Sequence, residues 1–174
     1  ISNSPIFVVD GTGTGYSYKM DFFPDTVPEE TIMANDSTIS FSNRTDGVQY
    51  FHVRVKNSGA WSDTTHYKIM IDKTKPLAPQ NTVAEFLEDG TIKLSWGSGS
   101  DSYSGVAGYK IYRSFLRDFD IRFDFYEIVS EKTQETTFID PNVEAGKSYH
   151  YRLQTIDTVG NVGGLTSSFV AHVP

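Results

Sequence analysis

Twice in this chain an alternating aromatic stretch runs into a loop of Gly, Asn, Ser and Asp, then into a second alternating stretch. Residues 50–71 read YFHVRV-KNSGAWSD-TTHYKIMI, and residues 149–173 read YHYRLQTI-DTVGNVGG-LTSSFVAHV. A period of two on either side of a turn-forming loop is the pattern of an antiparallel β-hairpin. Two such closures in 174 residues point to two modules in tandem rather than one large domain. The joint falls in Lys73–Pro79 (KTKPLAP), where Pro76 and Pro79 fix extended backbone. The expected division is one sandwich module over residues 1–75 and a second over residues 76–174.

The strands can be placed one by one. In the first half, Ile6–Val9, Tyr16–Phe23, Thr38–Phe41 and Gln49–Val55 read as strands. Phe51, Val53 and Val55 share one face of the last of these, and His52, Arg54 and Lys56 the other. The glycine run Gly11–Gly15 lacks the Lys-Ser/Thr and the helix of a phosphate loop, so it reads as a turn. This half offers one strand fewer than a complete sandwich. Its opening strand is therefore expected to be very short or cut away, since the chain begins at Ile1 rather than Met. In the second half, Val83–Phe86, Thr91–Trp96, Gly108–Arg113, Tyr126–Val129, Thr137–Ile139, Tyr149–Ile156 and Ser167–Val173 supply about seven strands, the number a sandwich uses. No stretch holds a 3.6-residue period. The fold class expected is all-β: two tandem antiparallel β-sandwiches.

Residues 77–174 resemble a fibronectin type III domain. The resemblance is carried by Trp96, by Gly108–Arg113 (GYKIYR) and by Val143–Leu153 (VEAGKSYHYRL). It implies a tyrosine corner at Val143, Gly146 and Tyr149, and a buried phenol needs such a backbone partner in any case. The first half resembles the short immunoglobulin-like repeats of bacterial surface proteins, through DGVQYFHVRVKNSGAWS and HYKIMIDKTKP. Asn57 and Ala60 depart from the Asp and Asn usual in that loop. The core is expected around Trp96, Tyr109, Tyr149, Tyr151 and Leu153 in the second module, and around Tyr18, Phe51, Val53, Trp61 and Tyr67 in the first.

Composition removes several classes of function. There is no Cys, hence no disulfide, thiolate metal site or cysteine nucleophile. A formal net charge of −7 argues against a nucleic-acid partner. No apolar run is long enough for a membrane span. No GxSxG elbow is present, Glu29 and Glu30 are adjacent rather than across a cleft, and small sandwiches rarely enclose a pocket. The chain is not expected to be an enzyme. The lack of Cys leans toward a prokaryotic source, in which the sequons at Asn35 and Asn43 carry no glycan.

Three sets of residues stand out as candidate sites. The fibronectin resemblance implies that the loops holding Asp101 and Asp157–Asn161 lie at the end that receives the linker. Asp72, Asp101, Asp157 and Asn161 would there offer hard oxygen ligands to Ca²⁺; the competing reading is ordinary Asp/Asn turn chemistry. In Phe115–Tyr126 (FLRDFDIRFDFY), the residues Phe119, Phe123, Phe125 and Tyr126 would form an aromatic face for a glycan or another surface protein. The alternative is a strand extension or an Ω-loop packed on its own side chains. Finally, His52 and His66 are expected as outward cross-strand neighbours able to chelate a transition ion, though without a third ligand; His150 and His172 would repeat the arrangement.

The function expected from fold and resemblance is a non-catalytic structural spacer of a large extracellular or cell-surface protein. Its partners would be neighbouring domains of the same parent chain. Two alternatives stay open: an adhesion or carbohydrate-binding module using residues 115–126, and an accessory spacer of a secreted polysaccharide-degrading enzyme.

Overall fold

The computed structural model describes residues 4–9 and 13–174. Ile1, where a short opening strand was expected, and Asp10–Thr12 of the glycine turn lie outside the described residues. The chain divides into two compact units, Ile1–Lys73 and Thr74–Pro174. All regular structure among the described residues is β-strand.

The first unit holds β1 (Ile6–Val8), β2 (Gly15–Asp21), β3 (Thr38–Ser40), β4 (Gly47–Asn57), β5 (Ala60–Trp61) and β6 (Thr65–Ile71). β4 is central: it pairs antiparallel with β2 on one side and with β5 and then β6 on the other. β1 and β3 form a separate two-stranded sheet. The turn from β4 to β5 has both central residues at positive φ, Ser58 at 48° and Gly59 at 89°. That is the mirror-image turn whose twist suits a tight hairpin. One face of β4 carries Phe51 and Val53 into a core with Tyr16 and Ile39. Phe7 of β1 stacks on Phe51 with centroids 4.0 Å apart, and Phe41 meets both rings edge-on. Sheet-to-sheet contact here is therefore mostly aromatic, which gives a small module large contact area per residue.

Two expected core members behave otherwise. Tyr67 sits on the edge strand β6 and is largely exposed. Trp61 is only half buried, and the cations of Lys56 and Arg54 lie 5.4 and 6.0 Å from its ring. Its strand is two residues long, too short to carry the ring over the core. Beside Tyr67 an open apolar groove of about 920 Å³ runs between β1 and β6, lined by Ile6, Phe7, Val8, Phe51, Tyr67 and Met70 among others.

The second unit holds β7 (Val83–Phe86), β8 (Ile92–Ser95), β9 (Val106–Ser114), β10 (Glu127–Thr133), β11 (Thr137–Asp140), β12 (Ser148–Asp157) and β13 (Phe169–His172). They form a three-stranded sheet, β11-β8-β7, and a four-stranded sheet, β10-β9-β12-β13. Every pairing is antiparallel. Strict alternation in β12 sends Tyr149, Tyr151, Leu153 and Thr155 inward. With Ile92, Leu94, Trp96, Tyr109 and Ile111 they fill the space between the sheets. Trp96 meets Tyr109 edge-on at 5.4 Å. The tyrosine corner is present: the Tyr149 hydroxyl accepts the amide of Glu144 at 3.0 Å, and Gly146 takes φ +74° in the turn between them. Asp140 is buried as well, accepting from the Tyr151 hydroxyl at 2.9 Å and from the Arg113 guanidinium at 2.8 Å. Burial first, and then Asp140, push the Tyr151 phenol far above its ordinary pKa.

The residues after the joint are fastened to this sandwich. The Leu77 amide donates to the Ser100 carbonyl, and the Leu77 carbonyl accepts from the Thr155 hydroxyl, both at 2.8 Å. A Cβ on Gly163 would lie 2.4 Å from the Pro76 carbonyl oxygen, so only glycine lets the two backbones approach this closely.

Candidate functional site

The acidic loops of the second unit meet at one end of the sandwich. Thr158 ties them, its amide donating to the Gly105 carbonyl at 3.0 Å and its hydroxyl to the Ser104 carbonyl at 2.8 Å. Asp101 Oδ1 accepts the amides of Tyr103, Ser104 and Gly105 at 3.0, 2.8 and 2.9 Å. Partial burial raises its pKa, but those three amides outweigh burial and hold the carboxyl below its ordinary value. Asp157 is buried; its Oδ1 accepts the amides of Val159 and Asn161, and its Oδ2 the side-chain amide of Asn161 at 2.7 Å. Asp101 and Asp157 present carboxylate oxygens within 4.8 Å of each other. Asn161 also donates to the Thr74 carbonyl at 3.3 Å. Asp72 belongs to the first unit, immediately after β6.

This arrangement is first of all turn chemistry. Asp101 Oδ1 and both oxygens of Asp157 already organise backbone and side-chain N–H groups. Asp101 Oδ2 differs from them: it is buried and has no hydrogen-bond partner.

The aromatic stretch does not form the strand its alternation suggested. Residues 115–126 form a run of bends and turns held by Asp120. The Asp120 carbonyl accepts the amides of Phe123 and Asp124, and its amide donates to Asp124 Oδ2. Its carboxylate is gripped by the Arg122 guanidinium at 3.0 and 2.6 Å, which holds its pKa down to about 2. Local Asx hydrogen bonds thus win over the period of two. In consequence Phe119 is buried and Tyr126 is partly buried. Phe119 is 1% exposed and stacks on Tyr126 with centroids 6.4 Å apart. Tyr126 meets Tyr112 edge-on, and Arg152 donates to the Phe119 carbonyl. The loop folds over the sheet on these two rings and leaves Phe123 and Phe125 outward, 81% and 72% exposed.

The histidines divide in the same way. His52 and His66 are direct cross-strand partners, but His52 is 0% exposed rather than solvated. Segment 22–34 crosses that face of β2 and β4, with the Ser17 hydroxyl donating to the Glu29 carbonyl and Arg54 paired with Glu30 at 3.2 Å. No sequence signal marked this cover, because a loop that folds back over a polar face has no periodicity to read. His150 and His172 do not form a pair: His150 stands opposite Val170, and His172 opposite Ser148.

A seven-stranded sandwich with a filled core, a tyrosine corner and a buried Trp just after its second strand defines the second unit as a fibronectin type III fold. The chain belongs to the fibronectin type III family, matching the family model described as "Fibronectin type III domain SaeA third domain" over residues 83–173. It is similar to an amylopullulanase of Thermoanaerobacterium thermosulfurigenes, 37% identical over 101 residues, which is 58% of this chain and 5% of that protein. It is also similar to a chitinase of Paenibacillus xylanexedens, 25% identical over 97 residues, covering 56% of this chain and 16% of that one. The chain thus spans only a small part of the length of these relatives. Among solved structures, domains A168–A170 of titin align over 98% of this chain and 66% of that one, with a TM-score of 0.63 and 13% identity; this likeness concerns the fold.

Proposed function

We propose that this chain is a non-catalytic accessory segment of an extracellular bacterial polysaccharide-degrading enzyme, spacing other domains of the same parent chain. One observation carries the reading: a module of about this size recurs as a small fraction of an amylopullulanase and of a chitinase. Enzymes named for different polymers share it, so a role in spacing explains its recurrence better than recognition of one glycan. The sandwich core of the second unit supports the same reading, being filled by Trp96, Tyr109, Tyr151 and Leu153 and leaving no room for a substrate. Among the described residues no helix is long and apolar enough to cross a membrane.

A second reading, glycan adhesion, is favoured by the outward Phe123 and Phe125. Co-sedimentation of the chain with insoluble starch, chitin and cellulose separates the two. The spacer reading expects the protein to stay in the supernatant with all three. Saturable binding that disappears in Phe123→Ala and Phe125→Ala would overturn it in favour of adhesion.

A further inference from the structure

We propose that His52 and His66 form a two-imidazole binding site for a divalent transition ion that favours square-planar nitrogen ligation, Cu²⁺ or Ni²⁺, on the β4–β6 edge of the first unit. The two Nδ1 atoms lie 2.7 Å apart, across a direct cross-strand pair. A contact this short between two ring nitrogens holds one proton, so one imidazole donates and the other accepts. The other side of His52 decides which. Its Nε2 is buried, makes no hydrogen bond, and faces Asp21 Oδ1 at 3.4 Å. A carboxylate accepts only, so Nε2 of His52 carries hydrogen, its Nδ1 is the free acceptor, and His66 donates. The lone pair of the buried imidazole thus points toward an exposed one on an edge strand, where an ion in solution can reach both.

Two features beyond the pair itself resemble a metal site. The first is the Asp21–His52 contact, the carboxylate–imidazole arrangement that fixes tautomer and ring orientation behind a ligating nitrogen. Asp21 is itself held by the Phe23 amide at 2.9 Å, by the Thr26 hydroxyl at 2.9 Å and by Lys19 at 3.3 Å. An ion on Nδ1 would make the Nε2–H a stronger donor and so favour a hydrogen bond to Asp21, satisfying the buried nitrogen. The second is the spacing. With metal–nitrogen bonds of about 2.0 Å, two cis ligands of a square-planar ion lie about 2.8 Å apart, and two ligands of a tetrahedral ion about 3.3 Å. The observed 2.7 Å pair needs to open by only about 0.1 Å, with a turn of the two rings, for the square geometry. Binding needs no net proton loss: His66 moves its hydrogen from Nδ1 to the solvent-facing Nε2 as the ion takes Nδ1. The Lys19 ammonium opposes a cation here, and the Asp21 carboxylate beside it offsets that charge. Water completes the coordination on the exposed side.

The test is titration of the whole chain with Cu²⁺ and with Ni²⁺, followed by calorimetry, and by electron paramagnetic resonance for the copper form. The expected result is one site with nitrogen coordination. His66→Ala should weaken it at least about tenfold, and Asp21→Asn by about 10–100-fold, the range found when a partner behind a ligand is removed. His150→Ala combined with His172→Ala should change nothing. His66 is exposed on an edge strand, so its loss leaves the fold intact, which the melting curve verifies. Equal affinity in the parent and His66→Ala, or a copper spectrum without imidazole nitrogen, overturns the site. Unchanged affinity in Asp21→Asn overturns the part assigned to Asp21.

Discussion

Removing the Asp140 carboxylate from the second unit should cost it a large part of its stability. In Asp140→Ala the Tyr151 hydroxyl, wholly buried, loses its acceptor, at about 1–3 kcal/mol for an unsatisfied buried donor. The Asn142 amide loses its bond to Asp140 Oδ1, worth about 1 kcal/mol. Arg113 loses one partner but keeps Glu127 and the Asn142 carbonyl, so its share stays below the about 3–5 kcal/mol typical of a fully orphaned buried charge. The sum is about 3–5 kcal/mol, which for a unit of this size is a fall in Tm of roughly 12–40 °C. Tyr151→Phe removes the hydroxyl without orphaning a donor and should cost only about 1 kcal/mol. In the double variant no unsatisfied hydroxyl remains, so it should be no less stable than Asp140→Ala alone. Trp61 lies in the first unit and Trp96 in the second, so fluorescence in a Trp61→Phe background follows the second unit by itself. A cost for Asp140→Ala of less than about 1 kcal/mol, or no greater than that of Tyr151→Phe, would refute the reasoning.

Three further outcomes are expected. The Asp101 carboxyl is held below its ordinary value of 3.8 in the folded chain, so its contribution is present above that pH and is lost as pH falls through the lower folded value; acid melting curves of Asp101→Asn should flatten in that window, and unchanged curves would sink the assignment. Phe119→Ala should destabilise by about 3–5 kcal/mol while Phe123→Ala stays within about 0.5 kcal/mol, and the reverse order in urea unfolding would contradict the loop packing. Millimolar Ca²⁺ against EDTA tests whether Asp101 Oδ2 takes a cation: a rise in Tm that vanishes in Asp101→Asn means an ion binds the folded chain, and superimposed curves leave the acidic loops as turns.

The strands were legible because a half-buried strand writes its faces into the sequence. The alternation of Tyr149, Tyr151 and Leu153 in β12, and of Phe51 and Val53 in β4, matches the faces these strands bury. The tyrosine corner was expected from the fibronectin type III resemblance of Val143–Leu153, and the Tyr149 hydroxyl accepts the Glu144 amide. Phe115–Tyr126 shows where this reading fails. Its period of two is as regular as that of a true strand, yet Asp120 and Asp124 close a turn on themselves, bury Phe119 and turn Phe123 outward.

Sequence alone therefore determined which residues form strands, which face of each strand is apolar and that two such units follow one another. Periodicity is a local property, and neighbouring residues suffice to fix it. What covers a polar face is decided by segments distant along the chain. The alternation of β4 put His52 opposite the core but gave no sign of the segment that closes over it. Only the tertiary structure set its Nδ1 against His66 and its Nε2 toward Asp21, because those partners come from two other strands, β6 and β2, whose approach no local pattern encodes.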